Sequence, residues 1–291
     1  MEQTQILSIN KLSSILGLKR DLLQVVAQDR SSHYRPCKKK EVKKDGRIKY
    51  RKIDNPSASI RSIQRKINKR ILSPVCEELP AYMTGGIRGR SIIDNAEPHV
   101  GKDAVLCLDI EDCYPSISST KVYDIFRSKI GCSPPVAKLL TRLTTYGNRL
   151  PQGAPTSGSL CNLALENLSK SLHTEAANNG LDYTHYVDDL TFSGESDDIN
   201  IFKPMAIKKI QISGFGLNQK KITVRSNNQT QSVTGLIVNR TLGAGRKYVR
   251  KIERMIFNKR NHAVVAGSIA FIGSTSPKKA KRLKEKTKRK S

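Results

Sequence analysis

Asp109 ends an apolar run at residues 104–110 (AVLCLDI), and Asp188 and Asp189 lie side by side in residues 186–190 (YVDDL). Carboxylates among apolar neighbours are costly to ionise, so each should take up a proton or acquire a cation. Side chains alternate across a strand, so Asp188 and Asp189 converge only if a tight turn sits between them. A neighbouring strand that places Asp109 opposite that turn would create an all-oxygen cluster suited to Mg²⁺. Two such ions about 3.5–4 Å apart form the clamp used for in-line phosphoryl transfer. Taken alone, each motif favours a plainer reading, a solvent-exposed Asp-Asp turn and an unrelated helix-capping Asp, because short motifs recur by chance.

Apolar periodicity supplies the elements that must position these groups. Leu12, Ile15, Leu16, Leu22, Leu23 and Val26 predict N-terminal helices, and Ile60, Ile63, Ile67 and Ile71 predict a helix with basic outer faces. Residues 104–110 read as a buried strand. Val122, Ile125, Phe126 and Ile130 predict a helix that Ser118 or Ser119 could cap. Val136, Leu139, Leu140 and Leu143 predict a second, ended by Tyr146-Gly147-Asn148. After the Pro/Gly-rich stretch 150–159 (LPQGAPTSGS), Leu160, Leu163, Leu168 and Leu172 continue another helix. Residues 182–194 read as a hairpin centred on the two aspartates, 197–213 as a helix, and 222–225 and 233–238 as short β runs. The segment from Arg246 reads as basic and helical. Ignoring the inserted helix, the middle of the chain reads β-α-β-β-α-β, the ferredoxin-like split pattern, so the fold class is α/β (α+β).

The 291 residues allow one large domain or two to three subdomains sharing a core, and the 37% hydrophobic content excludes wholesale disorder. With 52 Lys and Arg against 25 Asp and Glu, the net charge is +27, for which a polyanion is the natural counter-charge. That charge is clumped: nine Lys/Arg lie between Lys38 and Lys52, and nine more between Lys278 and Lys290. The alternation of residues 47–51 (RIKYR) suits a basic, phosphate-facing strand, whereas the second run reads equally as a nucleic-acid grip or a solvated tail. No apolar run approaches the roughly 18 residues of a membrane span. The opening residues 1–10 lack the pattern of a secretory signal. The six cysteines form no C-x-x-C pair and the five histidines are scattered, so a cytoplasmic protein with reduced thiols and no zinc site is expected.

From about Arg47 to Val238, the ordered motifs resemble those of a retron-type reverse transcriptase, a bacterial RNA-directed DNA polymerase. They are LCLDIEDCYPSI (106–117), LPQGAPTS (150–157), YVDD (186–189), GLNQKK (216–221) and VTGL (233–236). Two features resemble the retron branch in particular, NAEPH (95–99) and the VTG triplet. The resemblance implies a right hand of fingers, palm and thumb: N-terminal helices and fingers over 1–100, palm over 101–240 with a finger-side helical insertion, and a basic helical thumb and tail over 241–291. It implies that Asp109, Asp188 and Asp189 hold two Mg²⁺ ions. Asp112 would lie near the nucleotide triphosphate, with Ile110 and Glu111 presenting backbone there, and Arg51 would grip it. Tyr114 would be a steric gate against the ribose 2′-hydroxyl, and Gln152 and Gly153 would lie beneath the incoming nucleotide.

Lys221, with Lys220 as the other choice, would assist pyrophosphate departure, although Ile222 stands where the family usually has threonine. Asn95 and His99 would have a structural or RNA-contacting role, and Val233, Thr234 and Gly235 would lie near RNA or primer. Implied partners are a cognate structured non-coding RNA, deoxynucleotides and a defence effector protein. The implied activity starts DNA synthesis from a guanosine 2′-hydroxyl to give branched RNA–DNA, in antiphage defence. Two alternatives stand beside it: another small bacterial reverse transcriptase, of diversity-generating or group II intron type, and a non-catalytic RNA-binding scaffold.

Overall fold

The computed structural model describes residues 5–29, 32–42, 48–258 and 262–288. Arg47, at the head of the basic alternating stretch, and the last three tail residues lie outside the described residues. The basic stretch forms an antiparallel hairpin of β1 (Tyr34–Val42) and β2 (Ile48–Pro56).

The central sheet contains β3 (Ala104–Asp109), β4 (Asp182–Tyr186), β5 (Asp189–Gly194) and β6 (Thr223–Ser226). Its order is β4-β5-β3-β6, with every neighbouring pair antiparallel. That order is the one expected of a split β-α-β-β-α-β unit. Strand β3 is apolar up to Asp109 because it is covered on both faces. Ala104, Leu106 and Leu108 join the main core, while Val105 and Cys107 join a second cluster with Val233, Leu236 and Val238. This division follows the two-residue period of a strand. The main-core face is packed by helices Ser157–Asn178 and Ser196–Ile212. The opposite face is covered by a small sheet of β7 (Ser232–Val233), β8 (Leu236–Ile237) and β9 (Gly243–Ala244).

Two elements differ in form from the periodicity reading. Residues 233–238 are not one strand: Thr234 and Gly235 take positive φ of 45° and 87° and turn the chain back as a hairpin. The segment from Arg246 is three helices, Arg246–Phe257, His262–Gly273 and Pro277–Lys288. They share a separate core of Ile252, Ile256, Val265, Ile269, Ile272 and Leu283. Elsewhere Ser118 caps its helix through the Lys121 amide, as the sequence suggests. All six cysteines are free. Among the described residues, no helix is long and apolar enough to cross a membrane.

Candidate active site

Strands β3 and β5 set the aspartates side by side. In their register Asp109 stands opposite Asp189. Strands β4 and β5 pair Tyr186 with Asp189, so Val187 and Asp188 are the two loop residues of a tight hairpin. The Ile110 amide donates to the Asp188 carbonyl at 2.9 Å and fixes that loop against the end of β3. Val187 has a φ of 59°, a left-handed conformation that is costly for a β-branched residue. Asp109 is buried at 5% exposure, and Asp188 and Asp189 are half-buried.

Burial first, and the neighbouring carboxylates second, push the pKa of both Asp188 and Asp189 upward. A cluster in that state calls for positive charge, and the Lys221 ammonium, on the turn Gln219–Lys221, is bonded to the Asp109 carboxylate. Lys221 lines the cleft beside the aspartates, whereas Lys220 does not. The donor set is oxygen only, which fits a hard divalent cation. Among the described residues, no three His, Cys, Asp or Glu side chains are drawn together into a ready metal cage. The three carboxylates therefore fit such an ion by chemistry and adjacency, with Lys221 supplying the counter-charge at Asp109.

The aspartates open on a cleft of about 660 Å³, whose walls include Arg51, Glu111, Asp112, Tyr114, Gln152 and Lys221. Arg51 reaches it from β2, opposite Lys39 in the basic hairpin. Tyr114 stands between this cleft and a neighbouring hollow lined by Gly153, Arg61 and Arg65. Gly153 has a φ of 114°, and a Cβ there would meet Ile53 at 2.9 Å, so the loop must have glycine to lie against β2.

The Ile110 and Glu111 amides donate to the carbonyls of Asp188 and Gly216, both at 2.9 Å. Asn95 and His99 are fully buried and make contacts inside the protein, which fits the structural role. The His99 ring bonds the hydroxyls of Ser193 (2.7 Å) and Thr184 (2.8 Å). Asn95 accepts from Thr84 at 2.9 Å through its side chain and from Thr184 at 3.0 Å through its carbonyl. Its amide reaches Thr234 at 3.5 Å, so this box ties the β7–β8 turn to the central sheet. Val233 is also buried, whereas Thr234 and Gly235 line a second hollow of about 550 Å³ that shares Tyr186 and Asp189 with the cleft.

Sequence reasoning missed Asp54 and Arg149. Asp54, buried at 5% exposure, accepts both Arg149 guanidinium nitrogens, at 2.9 and 3.3 Å, and the Gln152 amide at 3.1 Å. The Asp54 amide donates back to the Gln152 carbonyl at 2.9 Å. This pair fastens the loop carrying Gln152 to the strand carrying Arg51. Its only sequence signal is a lone acid in a basic strand.

The profile of the family described as reverse transcriptase (RNA-dependent DNA polymerase) matches residues 38–241, and the chain belongs to that family. Within it the chain is of the retron type. It is 34% identical over 258 residues to the Retron Se72 reverse transcriptase of Salmonella heidelberg, covering 85% of this chain and 67% of that protein. It is 32% identical over 248 residues to the Retron Ec86 reverse transcriptase of Escherichia coli, covering 83% and 77%. Its activity is accordingly that of an RNA-directed DNA polymerase. The fold is similar to that of telomerase from Candida albicans, with a TM-score of 0.50 and 11% identity over 87% of this chain and 57% of that one.

Proposed function

We propose that the chain is the polymerase of a retron, which binds its own structured non-coding RNA and copies part of it from a guanosine 2′-hydroxyl. The product is a branched RNA–DNA molecule, and the setting is antiphage defence together with an effector protein, inside the cytoplasm. The observation that carries the reading is the register of Asp109 against Asp189, with Asp188 on the adjoining turn.

In this reading the central sheet is the palm, the β1–β2 hairpin and N-terminal helices are the fingers, and the three C-terminal helices are the thumb. Asp109, Asp188 and Asp189 would hold two Mg²⁺ ions. Bound there, the ions would lower the pKa of the attacking hydroxyl and neutralise charge on the leaving pyrophosphate. The hydroxyl oxygen bonds to the α-phosphorus of a deoxynucleotide, and the bond to the bridging oxygen breaks to release pyrophosphate.

The residues around the cleft prepare that step. Arg51 grips the triphosphate with its guanidinium fork, and the Asp112–Tyr114 turn lies beside it. The Tyr114 ring fills the space a ribose 2′-hydroxyl would need. Gln152, held by Asp54, lies under the incoming nucleotide. Lys221 leaves Asp109 for the pyrophosphate. The buried Asn95 holds the β7–β8 turn, whose Thr234 and Gly235 face the primer side of Asp189, while His99 ties β4 to β5.

Nucleic acid copurified with the protein tests the reading. It should contain DNA joined to RNA through a 2′–5′ bond. Unbranched DNA would favour another small bacterial reverse transcriptase, and bound RNA without DNA synthesis would favour a scaffold.

A further inference from the structure

The turn that carries Asp188 has an unusual demand placed on it. Its first residue, Val187, is β-branched yet left-handed, at a loop position that hairpins ordinarily give to glycine. Something outside the turn must therefore hold it, and two groups press on it from beneath.

The first is Gly85. A Cβ at this position would lie 2.5 Å from the Val187 nitrogen, 2.6 Å from its Cγ2 and 2.7 Å from the Tyr186 carbonyl carbon. Real Cβ atoms do not approach backbone that closely, so the backbone at residue 85 bears directly on the turn. The segment that brings Gly85 there is tied down along its length. The Thr84 amide donates to the His185 carbonyl, and the His185 amide to the Tyr82 carbonyl, both at 2.7 Å. The Asn162 side chain donates to the Gly85 carbonyl at 2.7 Å. Upstream, the Arg90 guanidinium binds the carbonyls of Leu79 (2.5 Å), Pro80 (2.5 Å) and Met83 (2.6 Å).

The second is the His185 side chain, 1% exposed. Its Nε2 lies 2.8 Å from the Val187 carbonyl oxygen. A carbonyl can only accept, so Nε2 carries the proton and Nδ1 accepts from the Ser169 hydroxyl at 3.0 Å. Val187 is thus pressed on its amide side by Gly85 and tied on its carbonyl side by His185.

We infer that Gly85 and His185 form a cradle under Val187 and are positioning residues that set Asp188 and Asp189 against Asp109. This inference rests on the polymerase site proposed above. Neither residue touches the reacting atoms. Their effect is on placement, and a displacement near 1 Å can cost about 100-fold in rate.

Primer extension on an RNA template, with kcat, the KM for deoxynucleotide and the thermal midpoint measured together, tests the cradle. Gly85→Ala and His185→Leu should each lower kcat by about 100-fold, leave KM within about 2-fold and remain folded. Adding Val187→Gly to Gly85→Ala should restore only part of the loss, because it removes the contact with Cγ2 at 2.6 Å and leaves those with the residue-187 nitrogen and the Tyr186 carbonyl carbon. His185→Gln retains an amide donor for the Val187 carbonyl and should keep most of the wild-type kcat. Gly267→Ala, in a C-terminal helix where a Cβ meets nothing within 4 Å, is the control and should be silent.

A folded Gly85→Ala with wild-type kcat overturns the inference. If Gly85→Ala does not fold, equal kcat values for His185→Leu and His185→Gln overturn it instead. Asp188→Asn separates the two levels. Wild-type polymerisation by that variant removes the site itself, whereas an inactive Asp188→Asn beside a fully active Gly85→Ala removes only the cradle.

Discussion

Tyr114 stands on the wall between the cleft and the hollow behind it, and half-burial together with nearby thiols and carboxylates pushes its hydroxyl pKa upward. It therefore acts as a neutral ring whose shape matters. Tyr114→Ala should reduce discrimination against ribonucleotides by at least about 10-fold, the scale at which pocket shape selects a substrate. Incorporation of each nucleotide type under competition measures it, and unchanged discrimination would remove the gate. Much at this scale was legible in the sequence, because Asp109, Tyr114, Gln152, Asp188 and Asp189 occur in local motifs. Burial was not legible. NAEPH contains polar residues that suggest a surface for RNA, yet Asn95 and His99 find hydroxyl partners on β4, β5 and the β7–β8 turn and are buried. The choice between Lys220 and Lys221 likewise needed the turn geometry that carries one of them to Asp109.

Elements depend on contacts that local periodicity does not report. The helices around Ile60–Ile71 and Val136–Leu143 were readable because their apolar spacing is internal to each segment. Asp54 and Arg149 are 95 residues apart, so nothing near either one announces that they join β2 to the Gln152 loop. The His99 bridge between Thr184 on β4 and Ser193 on β5 is a similar case, and it has a pH consequence. Burial pushes the His99 imidazole down to about 4, below the roughly 6.5 of an exposed histidine. The unfolded chain therefore takes up that proton first. Stability on the order of 3 kcal/mol, fully present above about pH 6.5, is lost as the pH falls toward 4, because the charged imidazole would have to stay buried. Chemical denaturation between pH 7 and 4.5 should show this fall, and His99→Gln should remove about half of it while lowering stability at pH 7, because burial pushes His185 down to about 4 in the same way. An unaltered pH slope in the variant would show that another group governs acid sensitivity.

For the molecule as a whole, the net charge of +27 calls for a polyanionic counter-charge. The C-terminal helix Pro277–Lys288 has two jobs. Ala280 and Leu283 are buried in the three-helix core, while Lys278, Lys281 and Lys284 are exposed. Deleting the segment would mix these jobs, so charge removal is the cleaner experiment. Replacing Lys278, Lys281 and Lys284 by glutamine should leave the thermal midpoint near wild type and reduce the salt slope of RNA binding by about 2 to 3. An unchanged slope would make this face solvated charge and nothing more. The central claim is that three acids meeting at the β3–β5 register make the polymerase site. Single-turnover primer extension with Mg²⁺, comparing wild type with Asp109→Asn, Asp188→Asn and Asp189→Asn at equal RNA occupancy, tests it most directly. Each substitution should slow nucleotide addition by at least about 1,000-fold, while extension at the wild-type rate by any of the three would contradict the account.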